Sequence, residues 1–182
     1  MKIMTLLITT LLLVSCATVN HGTTVDAGKS QLTIGPKIFL GDMIAVVTDY
    51  RFGVTNDFNL GLDNVTRSNL TKLAPETVFE LYDLYNFRTG FLNIVPGLGA
   101  QLSRAYGDNG VQDGYYLLPT VSLALSKGFA GFTPYLGAQY NVPAGLDLYV
   151  GSEFKAGNSI TSVQFDAGTS GVSVSGSFGF QF

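Results

Sequence analysis

The last twelve residues, Gly171 to Phe182, constrain the fold more than any other stretch. They read GVSVSGSFGFQF. Val172, Val174, Phe178, Phe180 and Phe182 share one parity, and Ser173, Ser175, Ser177, Gly179 and Gln181 share the other. A strand sends alternate side chains to opposite faces, so this segment is a strand with one apolar face and one small, polar face. The apolar face has to meet either a protein core or lipid.

The same division recurs from residue 30 onwards. Leu32, Ile34, Pro36, Ile38 and Leu40 oppose Thr33, Gly35 and Lys37. Ile44, Val46, Tyr50, Phe52 and Val54 oppose Val47, Asp49, Arg51 and Gly53. Phe58, Leu60 and Leu62 oppose Asn59, Gly61 and Asp63. Further runs follow at 90–103, 114–126, 132–142, 146–155 and 161–167. Turn chemistry separates many of them, as at Thr55-Asn56-Asp57, Lys127-Gly128, Pro143-Ala144-Gly145 and Gly157-Asn158. Pro36 removes a ladder donor and predicts an irregular position or a neighbouring seam. Residues 76–88 (ETVFELYDLYNFR) are the ambiguous segment. Val78, Leu81, Tyr82 and Tyr85 have helical spacing behind Pro75, whereas the β-branched and aromatic content favours a strand with a bulge or phase shift.

Composition decides which environment the apolar face meets. Apolar residues make up 46% of the 182 and charged residues only 13%, against roughly 25% charged in an average soluble domain. Mean hydropathy is +0.30. After residue 14 no unbroken apolar run approaches the roughly 18 residues of a membrane helix. The polar face carries Ser, Gly, Thr, Gln and Asn rather than the many Lys and Glu of a water-facing sheet. The pattern therefore predicts an all-β fold: an antiparallel up-and-down transmembrane β-barrel of about ten strands, eight to twelve being the range. An even count puts both chain ends on one side. The long polar connections 64–75 and 104–113 then share the other side. The alternative is a soluble, lipid-anchored barrel or sandwich whose apolar face forms a core and which binds a ligand.

The N-terminus reads as a processing signal: Lys2, then an apolar stretch from Leu6 to Val14. It ends Leu13-Val14-Ser15-Cys16, which resembles the lipobox of bacterial lipoproteins. The resemblance implies a signal peptide over 1–15, cleaved by lipoprotein processing enzymes, with diacylglycerol and an N-acyl chain on Cys16. Ala17 after the cysteine resembles the sorting pattern of lipoproteins sent to the outer membrane. Residues 16–29 then form a lipidated, flexible tether and 30–182 the barrel. The tether holds His21, the chain's single histidine, which is expected to be solvent-exposed. Cys16 is the single cysteine, so no intrachain disulfide forms.

The C-terminus, with aromatics at 178, 180 and 182, resembles the terminal signature of outer-membrane proteins. That family's last strand is recognised by the barrel-assembly machinery. The resemblance implies an outer-membrane location in a Gram-negative-type bacterium, with outer-membrane lipids and, transiently, that machinery as partners.

No catalytic site is expected. Barrel enzymes of the outer membrane resemble one another in pairing His with Ser, Asp or Asn, and the predicted barrel has no histidine. No cofactor and no metal site are expected, because the barrel lacks His and Cys ligands. Net charge is −3 without a basic stripe, which excludes a nucleic-acid surface. Lys37, Asp49, Arg51, Asp63, Asp147, Glu153, Lys155 and Asp166 fall on the inward parity and are expected to form a lumen ion-pair network. The expected function is a lipid-anchored barrel with a structural or surface-interaction role towards an external partner. The alternative is a narrow porin-like channel, although open channels come with about 16–18 strands.

Overall fold

The computed structural model describes residues 21–40, 43–69, 76–106, 112–142, 145–169 and 171–182. Cys16, the signal segment, the first residues of the tether and the loop residues 70–75 and 107–111 lie outside these. The described residues form β1 (Ser30–Phe39), β2 (Met43–Gly53), β3 (Phe58–Asn69), β4 (Glu76–Tyr85), β5 (Phe87–Arg88), β6 (Asn93–Tyr106), β7 (Gln112–Ser126), β8 (Phe132–Asn141), β9 (Gly145–Ala156), β10 (Ser159–Gly168) and β11 (Gly171–Gln181). All pairings are antiparallel. β4 and β5 both pair with β6 and are two pieces of one stave, interrupted at Asn86. Ten staves result, and the ring closes where β11 pairs with β1. Closure leaves no free edge.

The ambiguous segment is a strand, and it contains no phase shift. β4 runs in regular register with β3 from Arg67↔Glu76 to Phe58↔Tyr85. The irregularity follows β4 but still falls within 76–88, at Asn86, which interrupts the pairing with β6 and whose N–H donates to the Asp57 carbonyl at 2.7 Å. The polar connections are also shorter than expected. Residues 64–69 continue β3 in register with 43–48 of β2, and β6 reaches Tyr106. Polar residues beyond the apolar belt still complete the ladder, because the backbone bonds do not depend on which side chain sits above them. The two long connections share one rim. Ser30 and Phe182 lie at the opposite rim, joined by a pair of 2.8 Å backbone bonds.

The two faces separate cleanly. Ile34, Leu81, Leu117 and Phe165 are 54%, 64%, 70% and 55% exposed, whereas Lys37, Asp49, Arg51 and Gln101 are at most 3% exposed. This inverts the distribution of a water-soluble protein. The soluble alternative, in which the apolar face forms a core, does not hold: that face is the exterior. Pro36 lies at the closing seam. The β1–β11 register passes from Ile34↔Phe178 to Lys37↔Ser175 without pairing Gly35 or Pro36. At the Gly157-Asn158 turn Gly157 takes φ +61° while Asn158 does not have positive φ, the II′ pattern with glycine first.

Inward glycines and inward tyrosines are matched across strands. Tyr82 lies opposite Gly61, Tyr149 opposite Gly137 and Tyr135 opposite Gly151. A Cβ on any of these three glycines would run into the facing ring. The missing side chain is what lets each ring lie flat along the wall and fill the lumen, the arrangement known as aromatic rescue of a strand glycine.

Candidate functional site

The lumen is filled in tiers. Towards the long-loop rim the inward face is apolar: Phe39, Ala45, Val47, Val65 and Val78 form one buried cluster. The alternation already places Val47 on the inward face, in an interior otherwise expected to be small and polar. Below lies a polar tier. Lys37 reaches Asp166 at 3.2 Å. Asp166 also accepts from Ser173 at 3.1 Å and from Gln164 at 2.6 Å. The Tyr135 hydroxyl donates to Gln164 at 3.1 Å. On the facing wall Glu80 accepts from Thr120 at 2.5 Å and Gln101 at 3.0 Å. Asn141 donates to Asp147 at 3.4 Å.

The next tier holds the densest charge. Arg51 and Asp49 are alternate inward residues of β2, with Nε of one 3.2 Å from Oδ2 of the other. The Arg51 guanidinium also reaches Glu153 of β9 at 3.2 Å. The Tyr82 hydroxyl donates to Asp49 Oδ1 at 2.5 Å. Asp63 lies directly across the β2–β3 ladder from Asp49, is 1% exposed, and neither of its oxygens has a hydrogen-bond partner.

His21 belongs to this tier, which corrects the expectation of an exposed histidine in a free tether. It is 5% exposed. Its Nε2 is 3.0 Å from Asp49 Oδ2 and its Nδ1 is 3.5 Å from Glu153 Oε2. Burial favours the neutral imidazole and Arg51 adds to that effect, but the Asp49 and Glu153 carboxylates outweigh both, and the pKa is raised. Residues 21–29 enter the mouth at the terminal rim and are bonded to the wall. The Thr23 hydroxyl donates to Glu153 Oε1 at 2.5 Å, and the Thr23 carbonyl accepts from Arg51 at 2.8 Å. Asn59 takes both backbone groups of Val25, accepting from its N–H at 2.5 Å and donating to its carbonyl at 3.0 Å. Asn56 receives the Ala27 N–H at 3.0 Å. Gly22 lies against the Tyr135 ring and Gly53 against the Asp26 backbone, so closely that neither position has room for a Cβ.

Of the eight charges expected in the lumen, the structure brings Asp49, Arg51, Asp63 and Glu153 into one group and joins Lys37 to Asp166. Asp147 is buried on β9 beside Asn141. Lys155 is not in the lumen. It lies at the terminal rim beside the β9–β10 turn, 49% exposed by side chain and 3.9 Å from Asp26. Glu80 was missed, because both parities of ETVFELYDLY mix acids with apolar residues. His21 was missed because a short polar segment carries no periodicity to reveal its docking. With His21 inside, the barrel does contain a histidine near carboxylates. His21, Asp49 and Asp63 each offer one ligand atom, all within 4.8 Å of one another. A cavity of about 420 Å³ remains at the terminal rim, lined by Thr23, Gln31, Phe132, Glu153 and Gln181 among others. Phe178, Phe180 and Phe182 all face outwards, and the first two rings meet edge to face at 4.9 Å.

No protein-family model and no curated protein matches the chain. Among solved structures, a bacterial barrel domain shares the fold. The N-terminal β-barrel domain of Pseudomonas aeruginosa OprF superposes with a TM-score of 0.51 at 12% identity, over 87% of this chain and 100% of that one. KdgM porin gives 0.47 at 12% identity over 84% and 99%. The β-domain of the Bordetella autotransporter BrkA gives 0.40 at 11% over 84% and 97%. The chain has the fold of an outer-membrane barrel, closed by ten antiparallel staves.

Proposed function

We propose that this chain is a closed, non-conducting barrel of the outer membrane, with a structural or surface-interaction role, tethered additionally by lipid on Cys16. The observation that carries this reading is the Arg51–Glu153 bond across the lumen, with residues 21–29 seated against it. A water path would have to pass this bridge, the tyrosines beside it and the apolar cluster beyond. The exposed apolar belt of the exterior supports a lipid environment, since nearly all charged side chains lie in the lumen or at the rims, with Asp83 of β4 an outward exception that accepts from the Leu98 N–H. Arg51 is engaged with Asp49 and Glu153, and Lys37 with Asp166, which supports a structural rather than a catalytic use of these charges. The lipobox supports anchoring. A lipid on Cys16 would lie at the rim where residues 21–29 enter, the rim away from the long loops. Those loops then face an external partner.

Single-channel recording in planar bilayers tests the closed reading. The purified chain is expected to give no stepwise openings, and reproducible openings would establish the narrow-channel alternative. Intact mass of the membrane-extracted protein tests the anchor. Diacylglycerol and acyl mass are expected on the wild type and absent from Cys16→Ser.

A further inference from the structure

We propose that His21, Asp49 and Asp63 form a site for one divalent transition-metal cation of the zinc class, which staples the N-terminal segment to the barrel wall. Asp49 and Asp63 face each other directly across the β2–β3 ladder, an arrangement that like charges make unfavourable. Both are fully or almost fully buried, at 0% and 1% exposed. Glu153 adds a third carboxylate, and Arg51 is the permanent cation that faces them. Even with His21 protonated, two cationic groups face three carboxylates, so the group is one positive charge short, and a buried carboxylate without a partner is costly.

The geometry says where the missing charge belongs. Asp63 is buried with both oxygens unpartnered. His21 Nε2 and Asp49 Oδ2 approach to 3.0 Å, yet neither atom makes an aligned hydrogen bond. Three ligand atoms, one imidazole nitrogen and two carboxylate oxygens, converge within 4.8 Å. Bonds of about 2.0–2.2 Å in a tetrahedral zinc site place ligand atoms roughly 3.3 Å apart. The His21–Asp49 pair already has nearly that spacing, and Asp63 faces Asp49 itself with no donor side chain of another residue holding it away. A mixed imidazole and carboxylate set suits zinc and its neighbours better than calcium or magnesium, which prefer oxygen alone. Tyr82, donating to the other oxygen of Asp49, is the kind of outer hydrogen bond that orients a ligating carboxylate.

The consequence is mechanical. His21 comes from the segment and the two aspartates from the wall, so the cation joins the two. It adds to the Asn59 and Arg51 bonds a link that a chelator removes.

The test uses the full chain in detergent, stripped with EDTA and titrated with Zn²⁺ alone, followed by calorimetry and native mass spectrometry. Heat-modifiable migration checks that each variant is folded. One Zn²⁺ per chain is expected, with affinity falling by more than about tenfold in Asp63→Asn and in His21→Gln. Asn59→Ala, which loosens the segment without touching a ligand, keeps the one-to-one stoichiometry. Absence of a stoichiometric site in the wild type would overturn the proposal and leave protons alone to neutralise the group. Undiminished binding in His21→Gln would also overturn it, placing the metal elsewhere. Because His21 is not part of the wall, that variant decides the matter even if Asp63→Asn fails to fold.

Discussion

Arg51 on β2 meets Glu153 on β9 at 3.2 Å, although four steps around the ring separate the two strands. The bond is a strut across the barrel, not a contact along its wall. Each partner is also tied to the N-terminal segment, Arg51 through the Thr23 carbonyl and Glu153 through the Thr23 hydroxyl. Wall, strut and segment are therefore one hydrogen-bonded unit.

Breaking the strut from one side leaves a buried charge without compensation. Arg51→Met is expected to destabilise the barrel by about 3–5 kcal/mol, the range for severing one partner of a buried pair. The double replacement Arg51→Met with Glu153→Leu removes both charges and recovers most of that loss. Urea unfolding in detergent, followed by heat-modifiable migration, measures both. A double variant as unstable as the single would mean that the strut stabilises through more than charge compensation.

The tyrosine–glycine matches make a second prediction. Gly61 lies opposite Tyr82, and a Cβ there meets the ring. Gly61→Val is expected to cost about 1–3 kcal/mol by overpacking. Adding Tyr82→Ala gives the valine space and recovers part of it, so the two substitutions are non-additive. Strict additivity in the same unfolding assay would show that ring and glycine do not share the space.

Docking of the N-terminal segment is tested by Gly22, which lies against the Tyr135 ring with no room for a Cβ. Gly22→Leu is expected to lift residues 21–25 from the mouth without altering the wall. Val25, 2% exposed when docked, is the reporter. In a Cys16→Ser background, Val25→Cys reacts slowly with a maleimide, and adding Gly22→Leu raises the rate at least about tenfold if docking protects it. Equal rates would mean that the segment spends most of its time outside the lumen.

These features differ in how far the sequence reveals them. The strands and their two faces follow from parity, because a strand two residues out of phase would still put Asp49 and Arg51 on the same side. The outward aim of the apolar face follows from the scarcity of charge on the other. Pro36 marks the seam for a local reason, its missing donor. The docking of residues 21–29 has no such signature. It depends on backbone groups of Thr23 and Val25 meeting Arg51 and Asn59, and backbone groups are the same in every sequence. The metal-binding constellation shares that limit, since His21 joins Asp49 and Asp63 only through the docked segment. Glu80 was unreadable because Val78, Tyr82 and Leu84 on its face are as apolar as Phe79, Leu81 and Tyr85 on the other.

The last strand carries the remaining prediction. Phe182 has two separable attributes. Its backbone closes the seam, exchanging 2.8 Å bonds with Ser30, while its ring projects outwards, 67% exposed. Deleting Phe182 removes both, whereas Phe182→Ala keeps the seam bonds and removes only the ring. If assembly machinery reads the alternating aromatics at 178, 180 and 182, both variants are expected to lower the yield of heat-modifiable barrel in the outer membrane to a similar degree. Refolding of the two purified chains in detergent would then differ, with Phe182→Ala folding like the wild type because its seam is intact. Normal membrane yield of Phe182→Ala alongside a poor yield of the deletion would assign the residue's importance to the seam and refute recognition of its ring.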